Sequence, residues 1–460
     1  MKTPARFLAR FASVFALLLL AGCWEERIVW SPDGNHAAVI TKEGLHLCGA
    51  DGSLSPVLAP GVYRAAWLPD SQRLVIASSR ELKDYAALAA ALGPERTRAL
   101  VVKTEAFWQR WEASPTGEFG DAFDLEDDLG AIIVCLRERH HDDVVAKLRK
   151  DKKEQKDIDD FEAAVVGWNS LAVARLAGDR LEFGRPLFEG LAGIRDIRPA
   201  PSGAAIAFVA PAELSPNNDP ALQLFVVPSD GAAPPAVLAT HVAFHPDWTP
   251  DSRALVYLQA EGGGSGKPDK LRLGALVERN ALDEKGRVHL DDESPRELAG
   301  LIFQDENRVR CLRDGRVLFD AAEFHLPLAG SDHSPREQLF AIDRTKEKSV
   351  VVPLIPKNEL DRLPNPLAFF YVSPDETQVL FGGGSDVSVL RLADSQVEHF
   401  AVQMVSKDDG SPPLPMWRRA GEFTYLKSAT PRNELILRRG ETETVLSRTW
   451  PDAALQQLIK

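Results

Sequence analysis

A five-residue sequence, Trp30-Ser31-Pro32-Asp33-Gly34, recurs along this chain and constrains its fold more than any other feature. Close copies occupy residues 67–71, 248–252 and 372–376, and a looser copy occupies residues 199–203. Ser or Thr suits the first position of a tight turn, Pro presets φ at the second, and Gly closes the turn. A short apolar run follows each copy. A turn and strand that recur at intervals of tens of residues indicate a repeat architecture.

The first repeat contains four short strand-like segments, which are Ile28–Trp30, Ala37–Thr41, Leu45–Cys48 and Val57–Leu58. Turns separate them, and the next Pro-Asp copy follows 37 residues after the first. Four short strands in about forty residues are typical of one propeller blade. We therefore predict an all-β protein, a β-propeller of seven four-stranded blades over residues 23–450. The chain length is also compatible with six or eight blades.

The repeated Trp-Ser-Pro-Asp-Gly turns with trailing apolar strands resemble the WD-repeat-like blades of TolB-type β-propellers. The resemblance covers most of residues 24–450, and it implies a propeller whose blades supply no catalytic residues. TolB carries a separate α/β domain before its propeller, whereas the first blade here begins just after Cys23. The partner of TolB is therefore not carried over to this chain.

Blade two is interrupted, and we predict a mainly helical insertion at residues 80–168. Leu82–Leu92 is rich in alanine and predicts a helix that Gly93-Pro94 ends. Helical spacing of apolar residues resumes from Leu129. Trp108 and Trp111 share a face if their segment is helical, so they are candidate partner-binding residues. The alternative is that they dock the insertion onto the propeller.

Long connections are concentrated, by this interpretation, between the second and third strands of their blades. These connections are residues 78–169, 211–221, 260–270 and 321–337. Since they would all emerge on one face, and functional residues often lie on loops carried by a rigid scaffold, that face is the predicted binding surface.

The N-terminus reads as a targeting segment. Lys2, Arg6 and Arg10 precede an apolar run that is too short to span a bilayer. The run ends in Leu20-Ala21-Gly22-Cys23, which resembles a bacterial lipobox, so residues 1–22 are the predicted signal peptide and Cys23 the predicted lipidation site. An ordinary secretory signal is the alternative.

A lipid on Cys23 would anchor the protein in the cell envelope, facing the periplasm or the exterior. Trp24 follows the cysteine where an aspartate would signal retention in the inner membrane, so the resemblance implies the outer membrane in a Gram-negative host. Removing residues 1–22 changes the net charge from −13 to about −16. Such an acidic chain is not expected to bind nucleic acid.

Three cysteines remain after Cys23: Cys48, Cys135 and Cys311. We expect buried thiols, and one disulfide among them is the alternative. His140-His141-Asp142-Asp143 could supply metal ligands, but adjacent helical side chains diverge by about 100°, so surface charge is the preferred interpretation. The acidic run 124–128 lacks the glycine and spacing of a calcium loop and is expected to be a solvated turn.

The sequence contains no Gly-x-Ser-x-Gly motif, and we predict no catalytic, cofactor-binding or metal-binding residue. The predicted function is a lipid-anchored, non-catalytic scaffold with a protein partner in the envelope. Two alternatives remain, an envelope hydrolase or lyase and a small-molecule or glycan sensor that uses the propeller channel. Residues 451–460 form a predicted C-terminal tail.

Overall fold

A computed structural model describes most of the chain from Glu26 to Leu446. The described ranges are 26–113, 128–151, 155–178, 180–214, 221–261, 271–289, 294–322, 337–347, 349–360, 362–363, 367–383, 386–401, 414–427 and 434–446. The predicted signal peptide, Cys23 and the predicted tail 451–460 lie outside these ranges.

Antiparallel strands dominate the described chain. The first unit is β1 (Ile28–Trp30), β2 (His36–Thr41), β3 (Gly44–Gly49) and β4 (Ala59–Pro60). The second is β5 (Val62–Trp67), β6 (Arg73–Leu82), β7 (Val166–Ala177) and β8 (Arg180–Gly190). The third is β9 (Asp196–Pro199), β10 (Ala205–Pro211), β11 (Leu222–Pro228) and β12 (Ala236–Thr240).

The next eight strands form one sheet. Its first half is β13 (Asp247–Trp248), β14 (Ala254–Ala260), β15 (Arg272–Asn280) and β16 (Arg296–Phe303). Its second half is β17 (Val309–Cys311), β18 (Arg316–Ala322), β19 (Glu337–Asp343) and β20 (Val352–Pro353). A single residue pair, Ile302 with Ala322, joins the two halves, so we describe them as the fourth and fifth units.

Two four-stranded sheets complete the chain. The sixth unit is β21 (Phe369–Val372), β22 (Gln378–Gly383), β23 (Asp386–Arg391) and β24 (Val397–Ala401). The last unit is β25 (Met416–Arg419), β26 (Glu422–Lys427), β27 (Glu434–Arg439) and β28 (Thr442–Val445).

The first strands of successive units are neighbours, which gives the ring of a β-propeller. Contacts join β1 to β5, β5 to β9, β9 to β13, β13 to β17, β21 to β25, and β25 back to β1. Between the fifth and sixth units, Leu312 and Leu318 pack in one buried cluster with Phe370 and Val379. The hydrophobic core therefore lies between adjacent sheets, and the first strands surround a central channel.

The repeated motif forms the turn between the first and second strands, as its composition predicts. In the first copy, the amide of Gly34 donates to the carbonyl of Ser31 at 2.8 Å, and Ser31 Oγ donates to Asp33 at 2.6 Å. Gly34 has φ of +67°, and a Cβ there would lie 2.8 Å from the carbonyl oxygen of Arg418. Glycine is therefore needed here for conformation and for space.

Aspartate has a second role in these turns, because its carboxylate accepts the backbone N–H two residues further along the chain. Ten aspartates do so in turns that follow the first or third strand of a unit. They are Asp33, Asp51, Asp70, Asp230, Asp251, Asp283, Asp314, Asp343, Asp375 and Asp394. Since strands alternate in direction, these turns share one side of the ring, which we call the turn face.

Connections from second to third strands, and those between units, emerge on the opposite side, which we call the helix face. Among the connections from second to third strands, the longest join β6 to β7, β10 to β11, β14 to β15 and β18 to β19. The prediction that every long connection lies on this face is wrong in one place. Residues 281–295 join β15 to β16 on the turn face, where Asp283, Lys285 and Gly286 build an additional turn.

Three helices lie between β6 and β7: α1 (Tyr85–Ala113), α2 (Leu129–Lys150) and α3 (Gln155–Ala163). A short helix, α4 (Lys357–Leu360), lies between β20 and β21. Gly93 interrupts the first helix, as predicted, because it adopts φ of +74°, and a second helical segment follows this kink. Residues from α1, α2 and α3 share one buried cluster with Leu82, Val166 and Trp168 of the β6–β7 hairpin. We call α1–α3 the helical unit.

Candidate interaction face and channel cluster

Titratable side chains lie on the first strands of several units, or just before them, on the side that faces the channel. They stand four and two residues before the first residue of each turn, a spacing that puts both on the same side of a strand. Asp196 and Arg198 hold these positions in the third unit, His245 and Asp247 in the fourth, and Arg308 and Arg310 in the fifth. With Glu26 and Tyr371 they form what we call the channel cluster.

Glu26 lies at the centre of this cluster. Its Oε1 accepts hydrogen bonds from Arg308 Nη1 at 2.8 Å and from the hydroxyl of Tyr371 at 3.1 Å, and Arg198 Nη2 lies 3.7 Å away. These partners belong to the fifth, sixth and third units, so the contacts cross the axis of the ring. Burial raises the pKa of Glu26, but Arg198 and Arg308 outweigh it and hold the pKa well below its usual range.

Asp196 makes the second strong ion pair. Arg198 Nε donates to its Oδ2 at 2.8 Å, and His245 Nδ1 lies 3.2 Å from the same oxygen. Burial opposes ionisation of Asp196, but Arg198 lowers its pKa overall. Burial and the nearby Arg308 lower the pKa of His245 to about 3, so its imidazole is neutral at physiological pH.

Asp247 completes the network at a longer distance. Its Oδ2 accepts the amide N–H of Cys311 at 2.9 Å, and Oδ1 lies 3.7 Å from Arg310 Nη1. Burial raises the pKa of Asp247 and lowers that of Arg310. Three arginines thus face three carboxylates, and the guanidinium of Arg308 also lies 5.0 Å from the ring centre of Tyr371. The cluster places these buried ion pairs at one level of the channel, an arrangement that ties opposite units together.

A separate pair of carboxyl groups lies beside the cluster, at the helix-face end of the fifth unit. Asp320 accepts the amide of Arg308 at 2.5 Å and the side-chain amide of Asn307 at 2.9 Å. Burial raises the pKa of Asp320 to about 6. Burial, followed by the charge of Asp320, raises the pKa of Glu337 to about 8. These groups therefore change protonation within the physiological pH range.

The helical unit is bound to the third unit as well as to its own hairpin. Arg96 of α1 pairs with Glu213, which follows β10, and its guanidinium lies 5.5 Å from the ring centre of Trp168. Asp128, just before α2, accepts the amide of Leu214 at 2.8 Å. The helical unit is therefore bonded to residues 212–214, the described start of the β10–β11 connection. Asp128 is buried and paired with Lys103 at 3.0 Å, so the expectation of a solvated turn is wrong at this residue.

The structure places Trp108 and Trp111 inside the helical unit. Their side chains are 7% and 0% exposed, and their rings pack edge to face at 5.4 Å. His140 stacks on Trp108 at 5.2 Å, and its Nε2 donates a hydrogen bond to the carboxylate of Glu105 at 3.0 Å. His141 instead contacts Asp142, so the adjacent histidines diverge. Among the described residues, no group of His, Cys, Asp and Glu is arranged to hold a metal ion.

A Ser–His–carboxylate chain occurs in the sixth unit. Ser388 Oγ lies 3.0 Å from His399 Nδ1, and His399 Nε2 lies 2.9 Å from Glu359 in α4. Ser388 is only 1% exposed, however, and substrate must reach the oxygen of a nucleophile. We therefore assign a structural role to these three hydrogen-bonded side chains, which tie α4 to β23 and β24.

Sequence reasoning missed the channel cluster, although a signal for it was present. The first strand of a blade is expected to be apolar, and charged residues in alternation there mark a polar channel. The structure brings these residues together from five units. The predicted site residues Trp108 and Trp111 belong to another part of the molecule, and Cys23 lies outside the described ranges. In the part of the chain that the structure describes, no helix is both long and apolar enough to cross a membrane.

Comparison with known proteins gives the fold. No protein-family model matches the chain, and no curated protein matches it. TolB from Acinetobacter baumannii is similar in structure, with 13% identity and a TM-score of 0.38 over 59% of this chain and 57% of TolB. Prolyl oligopeptidase B from Galerina marginata is similar with 11% identity and a TM-score of 0.50, over 95% of this chain and 52% of that enzyme.

A third similar structure is the β-propeller domain of the Trilobed protease from Pyrococcus furiosus, with 13% identity and a TM-score of 0.38 over 61% of this chain and 77% of that domain. At these identities the likeness speaks to fold alone. The chain spans little more than half the length of TolB and of prolyl oligopeptidase B. The protein is a β-propeller made of four-stranded antiparallel units, as the ring of first strands and the likeness to prolyl oligopeptidase B both indicate.

Proposed function

We propose that this protein is a lipid-anchored, non-catalytic scaffold of the cell envelope that binds a protein partner through its helix face. The blades number seven in this proposal, because the two halves of the eight-stranded sheet meet at one residue pair and count as two blades. The helical unit is an insertion in the second blade. The lipid is carried on Cys23, and the propeller faces the periplasm or the exterior, at the outer membrane in a Gram-negative host.

One observation carries the proposal. The helical unit and residues 212–214, at the start of the β10–β11 connection, are bonded to each other on the helix face, through Arg96 with Glu213 and Asp128 with Leu214. A rigid propeller that supports one enlarged face suits the binding of a macromolecule. The channel offers less to a small ligand at the level of the cluster, because the arginines and carboxylates there are buried and paired with one another.

Site-specific photo-crosslinking in living cells tests this function. A photoreactive residue in place of Val102 on α1, which is 65% exposed, should give a covalent adduct with a defined envelope protein. The same residue in place of Lys285, exposed on the turn face, is the matched control and should give no such adduct. An adduct formed only from position 285 would contradict the proposal. Substitution Cys23→Ala should move the protein from the membrane fraction to the soluble fraction.

A further inference from the structure

Glu26 fixes where the chain enters the ring. Its carboxylate is held on the axis by Arg308 and Tyr371. The amide of Ile40, near the end of β2, donates to the carbonyl of Arg27 at 2.9 Å, so Glu26 lies level with the end of β2. The second strand of every unit ends at the helix face. Glu26 therefore lies toward the helix-face mouth of the channel.

The position of Glu26 limits where Cys23 can be. The two residues are three positions apart, and three residues span at most about 11 Å when fully extended. The six residues of β2 extend about 20 Å from the helix face to the turn face, at about 3.3 Å per residue. The Cα of Cys23 can therefore reach beyond the helix-face mouth but not beyond the turn face, whatever conformation the intervening residues adopt.

We propose that the lipid anchor holds the helix face toward the membrane, so that the partner accepted by this face is a protein embedded in the same membrane. This inference rests on the proposed lipid on Cys23 and deepens the proposed function. The helical unit then lies between the propeller and the bilayer, and the turn face points away. The ion pairs that hold Glu26 are buried, so salt should screen them only weakly.

Energy transfer to labelled lipids tests the orientation without any partner. The mature chain beginning at Cys23 is coupled through that thiol to a maleimide lipid, in vesicles of phosphatidylethanolamine and phosphatidylglycerol that carry an acceptor dye. A fluorescent amino acid replaces Val102 in one sample and Lys285 in the other, and intact mass verifies a single lipid per chain. We expect markedly stronger transfer from position 102 than from position 285. Equal transfer, or stronger transfer from position 285, would overturn the inference.

A variant with a longer linker tests whether the short tether to Cys23 sets the orientation. Twenty Gly and Ser residues inserted between Cys23 and Glu26 add a flexible tether whose ends lie about 25 Å apart on average. This variant should lose most of the difference between the two positions while remaining bound to vesicles. A difference that survives the insertion would mean that the anchor does not set the orientation. Because the lipid is attached chemically, failure of Cys23 to be acylated in cells, measured by mass spectrometry of the native protein, would contradict the proposed function separately.

Discussion

The indole nitrogen of Trp248 donates a 2.8 Å hydrogen bond to the backbone carbonyl of Arg198, the residue whose side chain pairs with Asp196 in the channel. The same bond recurs around the ring, from Trp67 to Val29 at 2.9 Å and from Trp417 to Tyr371 at 2.8 Å. In each case the tryptophan of one unit binds the inner strand of the preceding unit. These tryptophans, of which Trp67 and Trp248 belong to the repeated motif, therefore join adjacent units.

Removal of this bond should weaken the ring in a measurable way. Trp248→Phe keeps most of the buried ring but loses the donor and leaves the Arg198 carbonyl without it, so the free energy of unfolding should fall by about 1–2 kcal/mol. Trp248→Ala should cost about 3–5 kcal/mol because it also creates a cavity. Urea unfolding gives both values. Trp168→Phe, whose indole makes a longer bond of 3.4 Å to Glu189, is the control and should lose less. A larger loss in the control would contradict this role.

Glu26→Gln should destabilise the protein, because it leaves Arg308 and Arg198 buried without their charge partner. We expect a loss of about 2–4 kcal/mol at neutral pH. Since the pKa of Glu26 is held below its usual value of 4.5, the stabilisation is fully present above that pH and is lost as the pH falls below it. The difference between wild type and variant should therefore shrink in acid. Unfolding followed by tryptophan fluorescence at several pH values measures it, and Glu95→Gln on exposed α1 is the control.

Glu337 should give the free energy of unfolding a pH dependence of the opposite sign. Its pKa is about 8 in the folded protein and about 4.5 when exposed, so the folded state retains a proton that the unfolded state loses. Stability should therefore decrease as the pH rises from about 4.5 to about 8, by up to about 1.4 kcal/mol per pH unit. Glu337→Gln should flatten this part of the profile, whereas Glu297→Gln, at an exposed position on β16, should not. An unchanged profile in Glu337→Gln would show that another group causes the slope.

Much of the fold follows from the sequence, because its turns consist of residues with specific backbone preferences. The copies at 30–34, 67–71, 248–252 and 372–376 each form the predicted turn between first and second strands. The fifth unit is the hardest to recognise in the sequence, since Arg313-Asp314-Gly315 keeps only the Asp-Gly end of the motif. Gly93-Pro94 ends the first helical segment as predicted, but the pair alone does not say that the segments on both sides of the kink pack in the same buried cluster.

The channel cluster could not be assembled from the sequence, because its members are separated by up to 345 positions, as in the bond between Glu26 and Tyr371. Only closure of the ring brings them together. The tryptophans of the insertion illustrate the converse problem. Helical spacing places Trp108 and Trp111 on one face correctly, but spacing alone does not say whether that face meets a partner or the core of the helical unit, where both are found.

The three cysteines provide a chemical test of the structure. Cys48, Cys135 and Cys311 are free thiols, and burial raises the pKa values of Cys135 and Cys311. Thiolate is the reactive form, so alkylation of the native protein at pH 8 should be slow. In denaturant without reductant, all three should be alkylated, as intact mass will show. Alkylation of only one of them would reveal a disulfide and contradict the structure.

Replacement of residues 80–168 by Asn-Gly tests whether the propeller folds without the helical unit. Ser79 and Asn169 face each other across β6 and β7, and a two-residue turn can close such a hairpin. The deletion also removes Leu82, Val166 and Trp168, which would otherwise expose apolar surface. We expect a cooperative unfolding transition with the helical circular dichroism signal lost.

The deletion should also affect residues outside the deleted segment. Glu213 would lose Arg96, and the amide of Leu214 would lose Asp128, so the β10–β11 connection should become more accessible. Hydrogen exchange should therefore accelerate around residues 212–214 while β10 stays protected. Loss of protection throughout the third unit would show instead that the ring requires the helical unit. The helical unit could then not be deleted without unfolding part of the propeller.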